Sequence, residues 1–181
     1  MSLGARLWGA CLVTVLCGCN PQAPKGAATA SPTPARAVTA PPLHITGHGT
    51  AARPVRETLQ IHNRIEYQLV SKSFESRGAQ GKARAVFADA RVTFYDRNGT
   101  TMTAAAPQAI VDQTNNSVTL LDGVRARTST GMTVDCNQLV YDHAAGKLHG
   151  EGNVVITDPK GFRGTGSSFD SDISLSHMRM Q

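Results

Sequence analysis

The histidines of this 181-residue chain are the side chains best suited to hold a metal ion or to move a proton near neutral pH. They are His44, His48, His62, His143, His149 and His177. His44 and His48 are four residues apart, but they lie in a glycine-rich stretch without a helical pattern. The spacing that places two histidines on one face of a helix therefore does not apply. The sequence predicts no metal site and no cofactor.

The other residues that could do chemistry are equally isolated. Cys136 lies on the apolar side of an alternating run, which is typical of a small buried thiol and not of a nucleophile. The stretch GTGSS at residues 164–168 is followed by neither a lysine nor a helical pattern, so it does not match a phosphate-binding loop. Serine, histidine and aspartate can be combined in any such composition and do not by themselves indicate a hydrolase. We predict that the protein is not an enzyme.

The N-terminal segment carries a signal of a different kind. Arg6 precedes an apolar run over residues 7–16, which is shorter than the roughly 20 residues that a membrane-spanning helix needs. The run ends in LCGC, which resembles a bacterial lipobox. This resemblance implies that residues 1–18 are a lipoprotein signal peptide and that Cys19 is the site of lipid attachment. The alternatives are an ordinary signal peptide and a short uncleaved anchor.

Composition then divides the rest of the chain. Residues 19–42 combine Cys19 with a stretch rich in proline and alanine, which cannot bury enough apolar surface to fold and is predicted to be a tether. Residues 43–181 are long enough for one domain with a core of its own. Without Arg6 the chain has 17 basic and 13 acidic residues, a mild excess that permits an anionic partner without demonstrating one. No nucleic-acid-binding motif is present, so nucleic acid is not an expected partner.

From Leu43 onward the apolar residues alternate with polar ones, which predicts half-buried antiparallel strands. In one run the residues expected to share a face are Val86, Ala88, Ala90, Val92 and Phe94. Asn98-Gly99 then predicts a hairpin turn, and Pro107 is expected to end the next run. Many short strands of this kind indicate an all-β sandwich, barrel or roll.

The alternation is organised in a repeat of thirty residues. The matching pairs are Asp112 with Asp142, Asn116 with Gly146, Val118 with Leu148, Val124 with Val154, and Gly131 with Gly161; Asp172 gives a weaker third occurrence. One such unit cannot bury its own apolar face, so stacked units are expected to form one continuous apolar interior. The repeated aspartates suit turns at strand ends, because their carboxylates bond to nearby backbone.

Residues 67–180 resemble the LptC family of lipopolysaccharide export and the related OstA-like repeats of LptA. The resemblance rests on the turn FYDRNG, the strand ends IVD and VYD, and the late segment KGFRGTGSSFDSD. It implies an open, twisted β-jellyroll built from repeated short antiparallel strands. It also implies a periplasmic module that receives lipopolysaccharide, or a related acylated lipid, from the inner-membrane ABC transporter LptBFG and passes it to an LptA-like protein.

In that interpretation the acyl chains lie in the apolar interior. The candidate groove residues are Val92, Phe94, Met102, Val118, Leu120, Val124, Met132, Val134, Val154, Ile156 and Phe162. Gly166 matches a glycine in the part of the family that binds a partner. The expected location is the periplasm, with the chain anchored by its N-terminal lipid, preferably to the inner membrane. Many family members are held by a transmembrane helix. The lipobox and tether of this chain depart from that pattern.

Two other functions remain open at this point. A structural lipoprotein would use its strand edges for assembly and would have a closed, dry interior that binds no lipid. A carbohydrate-binding jellyroll would need exposed aromatic platforms, and the tyrosines after the signal segment are only Tyr67, Tyr95 and Tyr141.

Overall fold

The computed structural model describes residues 43–79 and 82–181, and none of these residues lies in a helix. The strands are β1 (Leu43–His48), β2 (Val55–Ile61), β3 (Arg64–Ser71), β4 (Ser73–Gly78), β5 (Arg84–Tyr95), β6 (Thr101–Asp112), β7 (Ser117–Leu121), β8 (Val124–Thr128), β9 (Thr133–Cys136), β10 (Gln138–Asp142), β11 (Lys147–Thr157), β12 (Arg163–Ser171) and β13 (Arg179–Met180). All of their pairings are antiparallel. Within the described ranges, no helix is long and apolar enough to cross a membrane.

The strands form two layers that face each other across the core. Layer A has the order β1, β4, β5, β6, β7, β10, β11, β12, β13 and uses one half of each long strand. Layer B has the order β2, β3, β5, β6, β8, β9, β11, β12 and uses the other half of the same long strands. No pairing between described strands joins one end of this arrangement to the other, so the sheet is open. The predicted all-β fold, an open β-jellyroll of antiparallel strands, is confirmed.

The layers meet along a line where β5, β6 and β12 change their phase of alternation and β11 has a register shift between Glu151 and Val154. Asp89 lies on this line within β5 and has a left-handed backbone, with φ of 50°. Phe87 before it and Ala90 after it are therefore both buried, although one has an odd and the other an even position in the chain. The expectation that Val86 and Ala88 share the face of Ala90 is wrong, because the backbone at Asp89 turns the first half of β5 over.

Pro107 occupies the same line in β6. It was expected to end the strand, but β6 continues to Asp112. The pairing with β5 passes directly from Ala90 with Ala106 to Ala88 with Gln108. A proline is tolerated there because the ladder is already interrupted opposite Asp89, so its missing N–H removes no hydrogen bond.

The free ends of the layer A strands carry the repeated aspartates. Asp112 Oδ1 accepts a hydrogen bond from the Thr114 N–H at 2.8 Å, and Asp142 Oδ1 accepts one from the Ala145 N–H at 3.0 Å. Asp172 Oδ1 accepts one from the Ser176 N–H at 3.0 Å. The same side chain therefore closes a turn at each thirty-residue step, which confirms the predicted repeat and the predicted role of its aspartates.

Layer B carries the glycines of the repeat at its own turns. Gly131 and Gly161 have φ of 95° and 91°, a conformation that glycine adopts without strain. The predicted hairpin turn at Asn98-Gly99 is also present, with the Gly99 N–H donating to the Asp96 carbonyl at 3.2 Å.

Candidate functional site

The space between the layers is the candidate site, because most predicted groove residues point into it. Val92, Phe94, Met102, Val118, Leu120, Val124, Val134, Val154 and Ile156 are all at most 3 % exposed. Met132 is partly buried and packs against the same cluster. The thirty-residue pairs fall in equivalent places: Val118 and Leu148 lie in layer A, and Val124 and Val154 lie in layer B. The sequence therefore located the apolar interior.

Phe162 does not lie inside with the others, because its side chain is 72 % exposed. By alternation it belongs to the same face as Gly164, which pairs with the buried Ile156. It precedes the first residue of β12, at the tip of a hairpin where no further strand covers it. Its expected position in the interior is corrected to a position at the end of the interior face.

Large apolar side chains are also exposed at the opposite end of the sheet. Leu43 and Ile45 of β1 are 62 % and 45 % exposed. They alternate in phase with Gly47, which pairs with Phe74 of the apolar cluster, so they belong to the interior-facing side of layer A. The described large hydrophobic side chains that are exposed thus continue the interior face beyond its covered part, at both ends.

Several interior residues were not singled out from the sequence. The largest are Phe87, Phe169, Leu139, Tyr141 and Leu148, each at most 2 % exposed. Leu148 could have been assigned to the interior from the sequence, because it is the repeat partner of Val118. Phe87 lies just before the phase change at Asp89, and the others follow a phase change, so alternation counted across that point assigns the wrong face.

Contacts between the layers fill most of the interior. The ring of Phe94 in layer B lies 4.7 Å from the ring of Tyr141 in layer A. Towards the β1 and β2 end the packing is looser and leaves an apolar cleft of about 220 Å³. Its walls include Val55, Phe74, Phe87 and Val111. This cleft is open to an apolar ligand without any movement of the layers.

A polar contact joins the layers at the side opposite the line of phase changes, which we call the mouth. Glu66 of layer B is 5 % exposed, and its Oε1 accepts a hydrogen bond from Arg64 Nε at 2.9 Å. Its Oε2 lies 3.8 Å from Nδ1 of His143, which follows β10 in layer A. Burial, followed by the nearby Glu66 charge, raises the pKa of Tyr141 to about 12, so its hydroxyl stays neutral beside this contact.

The mouth contact borders a polar cavity of about 700 Å³. Tyr95 at the end of β5, with Asp96 and Arg97 of the β5–β6 turn, faces it on one side. Residues 143–146 of the β10–β11 turn face it on the other. Nδ1 of His143 is buried here and, among the described residues, has no hydrogen-bond partner. The cavity therefore lies where turns of both layers approach each other.

The remaining titratable groups do not converge on a reaction centre. Burial raises the pKa of Cys136 to about 11, in agreement with the prediction of a buried, unreactive thiol. Hydrogen bonds to Glu151 and Asp170 raise the pKa of His149 on the outer face of layer A. In the described part of the chain, no three His, Cys, Asp or Glu side chains are grouped so that they could hold a metal.

Gly166 lies at the C-terminal end of the sheet and has a structural reason to be glycine. A Cβ there would lie 2.7 Å from the carbonyl oxygen of Gln181. That carbonyl accepts a hydrogen bond from the Ser167 N–H at 2.7 Å, which fastens the end of the chain to β12. Its role in partner binding stays a prediction.

An open β-jellyroll with an apolar interior and uncovered apolar side chains at both ends defines an all-β binding protein. The family model described as lipopolysaccharide-assembly, LptC-related, matches residues 39–180. The chain therefore belongs to the LptC family of lipopolysaccharide export. Among curated proteins, the chain has no significant match.

Membership of this family implies a role in lipopolysaccharide transport and suggests a periplasmic location associated with the inner membrane. The predicted lipid-attachment residue Cys19, the signal peptide and the tether lie outside the described residues.

Proposed function

We propose that the protein is a membrane-anchored periplasmic module that receives lipopolysaccharide from the LptBFG transporter and passes it to an LptA-like partner along its apolar interior. The observation that carries this proposal is the continuity of the interior face. Leu43 and Ile45 extend it at one end, and Phe162 extends it at the other. An acyl chain that moves between neighbouring proteins needs apolar contact across both junctions, since each exposed CH₂ costs about 0.8 kcal/mol.

The sheet edges support docking at these junctions. Among the described strands, β1 pairs only with β4, and β2 pairs only with β3, so both layers offer an unpaired edge at the same end. A strand of a neighbouring protein can pair with such an edge and continue the sheet. Strand addition would align the apolar face of the neighbour with that of this domain, because alternation fixes which side chains point inward.

Lipid entry requires the layers to part, because the interior is mostly filled. The mouth is the side at which they can separate, since the long strands join them covalently along the line of phase changes. We infer that acyl chains first occupy the apolar cleft beside Phe74 and Phe87. The polar head group would stay at the surface, where no desolvation of its charges is needed.

We further propose that Cys19 carries the lipid that holds the protein at the membrane. The supporting observation is the LCGC sequence at the end of an apolar segment of signal-peptide length. Metabolic labelling with a radioactive fatty acid tests this proposal. Label in the wild-type protein and none in Cys19→Ser is expected, and equal label in both would exclude acylation at this residue.

Photo-crosslinking tests the path of the lipid. A photoreactive phenylalanine analogue at Phe74 should capture lipopolysaccharide first, because this position borders the open cleft. The same analogue at Leu120 should capture it only when the transporter drives lipid through the interior, because Leu120 is 0 % exposed. Arg125 and Arg127 on the outer face of layer B are the control positions. Capture at the control positions alone would contradict the proposal.

A second candidate function is a structural lipoprotein that assembles through its strand edges and carries no lipid. The filled interior favours this alternative, since a scaffold needs no space between its layers. The crosslinking experiment separates the two functions. A scaffold predicts crosslinks to neighbouring proteins from β1 and no lipid crosslink from either Phe74 or Leu120.

A further inference from the structure

The apolar cleft beside Phe74 and Phe87 has a carboxylate on its layer B side. Glu57 lies on β2 between Val55 and Leu59, two residues that pack against the apolar cluster. All three are partly buried and alternate in phase, so Glu57 belongs to the interior side of layer B. Glu57 borders the cleft of about 220 Å³. An acidic side chain therefore lies where acyl chains are proposed to enter.

The carboxylate of Glu57 is not neutralised by a basic side chain. Among the described residues, no ion pair includes Glu57. Arg56 also borders the cleft, but it alternates to the outer side of β2 and is exposed. Burial, only partly offset by a hydrogen bond from Tyr67, raises the pKa of Glu57 above its ordinary value.

Most of the hydrogen-bonding capacity of Glu57 is unused. Its Oε1 accepts a hydrogen bond from the Tyr67 hydroxyl at 3.2 Å, and within the described part of the chain its side chain makes no other. A carboxylate has about four acceptor positions on its two oxygens. Glu57 can therefore accept a further hydrogen bond from a ligand in the cleft.

This acceptor makes the cleft selective among apolar ligands. A ligand that fills the cleft removes water from Glu57, and a chain without a hydrogen-bond donor leaves the carboxylate desolvated and unpaired. A chain that carries a hydroxyl group replaces the lost water with a charge-assisted hydrogen bond. A site with a buried polar group rejects the analogue that lacks the matching donor, because that group is then left without a partner.

A neutral hydroxyl suits this cleft better than a cationic group. The residues that border it from layer A are uncharged, namely Phe74, Ser76, Ala85, Phe87, Val111 and Gln113. An ammonium group would lose its hydration shell in these surroundings, and one partly buried carboxylate replaces that shell incompletely. The desolvation cost of a hydroxyl is much smaller.

We propose that Glu57 makes the apolar cleft selective for acyl chains that carry a hydroxyl group, by accepting a hydrogen bond from that hydroxyl. This inference rests on the proposed function, since it names the kind of chain that the cleft holds. Tyr67 is a positioning residue in this site, because its hydroxyl holds one oxygen of the carboxylate at the wall of the cleft.

Two isomeric probes test the selectivity of the cleft. 1-Octanol and 1-methoxyheptane contain the same atoms, but only the alcohol donates a hydrogen bond. NMR titration of residues 39–181, which form one compact unit, gives the Kd of each probe. The methyl signals of Val55 and Val111, which border the cleft, show whether each probe binds there. Octylammonium is the third probe and tests for selection of a cation.

The measured quantity is the preference for the alcohol over the ether, expressed as the ratio of their Kd values. This preference should be about tenfold greater in wild type than in Glu57→Met, the lower end for a hydrogen bond to a charged group, because Glu57 is partly exposed. Glu57→Gln keeps an uncharged acceptor of the same shape and should give an intermediate preference. Tyr67→Phe removes the competing donor and should keep or increase the wild-type preference.

Glu75→Met is the matched control, because it removes a carboxylate from the outer side of layer A and should keep the wild-type preference. Thermal unfolding verifies that each variant is folded, and Glu57→Gln carries the test if Glu57→Met is not. Equal preferences in wild type and the Glu57 variants would overturn the proposal and leave the lipid path intact, since both probes would still enter the cleft.

Two other results would also overturn the proposal. Binding of neither probe at the cleft would contradict the proposed lipid path as well. A greater loss of affinity for octylammonium than for 1-octanol in Glu57→Met would assign the carboxylate to a cationic ligand. A role of Glu57 only as an inward-pointing charge that protects the edge strand β2 predicts aggregation of Glu57→Met with an unchanged preference.

Discussion

Substitution of Gly150 by alanine is expected to destabilise the domain through a steric conflict with one buried ring. Gly150 pairs with Phe169 across layer A, and the ring of Phe169 covers the glycine. A Cβ on residue 150 would lie 2.0 Å from Cε1 and 2.6 Å from Cδ1 of that ring. Carbon atoms in contact need about 3.5–4.0 Å, so the ring must move by roughly 1.5 Å.

The ring has no space for such a movement, because Phe169 is 0 % exposed. Overpacking by one methyl group in a close-packed core costs about 1–3 kcal/mol. The lower chain entropy of unfolded alanine offsets this by about 0.4–1 kcal/mol. We expect a net loss of about 1–2 kcal/mol, which lowers the Tm of a domain of this size by roughly 3–10 °C.

Gly47→Ala is the matched control at the other end of layer A. Gly47 pairs with Phe74, and a Cβ there would lie 2.3 Å from Cε1 of that ring. Phe74 is only partly buried and borders the apolar cleft, so its ring can turn into free space. The two substitutions create a similar overlap, and the difference in Tm between them measures how firmly each ring is held.

A double-mutant cycle completes this test. Phe169→Leu removes Cε1, the ring atom nearest the new methyl group, so the combination with Gly150→Ala should be less destabilised than the sum of the single changes. Thermal and urea unfolding give the four free energies. If the two substitutions are additive, or if Gly150→Ala leaves Tm unchanged, the steric explanation is wrong.

Further predictions concern the titratable groups. The raised pKa of His149 stabilises the fold below the unfolded value of 6.5, and this contribution is lost as the pH rises through the folded value. The urea midpoints of wild type and His149→Gln should therefore converge as the pH increases; a constant difference would contradict this. Because the pKa of Cys136 is raised from 9.0 to about 11, its thiolate is about a hundredfold scarcer, and an Ellman reagent should label it at least that much more slowly in the folded state than in urea. His143→Ala removes the partner of Glu66 at the mouth, so an apolar dye should enter the interior faster than in Lys147→Ala; equal rates would show that this contact does not hold the layers together.

The sequence was most informative where alternation is uninterrupted. Ala90, Val92 and Phe94 were expected to share a face, and all three are buried. Strict period-two alternation fixes the face of each residue as long as the strand stays straight. The repeat extended this reasoning, because residues thirty positions apart occupy equivalent places in successive hairpins.

Prediction failed where the backbone bends or the sheet ends. No local pattern in the sequence of β5 marks the phase change at Asp89. The sequence therefore does not reveal that Val86 and Ala88 face outward. Phe162 is in phase with the interior residues along the sequence. Its side chain is exposed because no further described strand lies beside it. The contact between Glu66 and His143 joins residues far apart in the chain, and it depends on how the two layers approach each other.

The thirty-residue step also determines how long this domain is. Residues 112–141 supply β7, β8, β9 and β10, which widen each layer by two strands, or by about 10 Å. A duplication of this segment would lengthen the protein by the same distance and would leave the first and last strands unchanged. The length of the sheet and the sequence of its edge strands are therefore encoded in separate parts of the chain, and either one can change in evolution without altering the other.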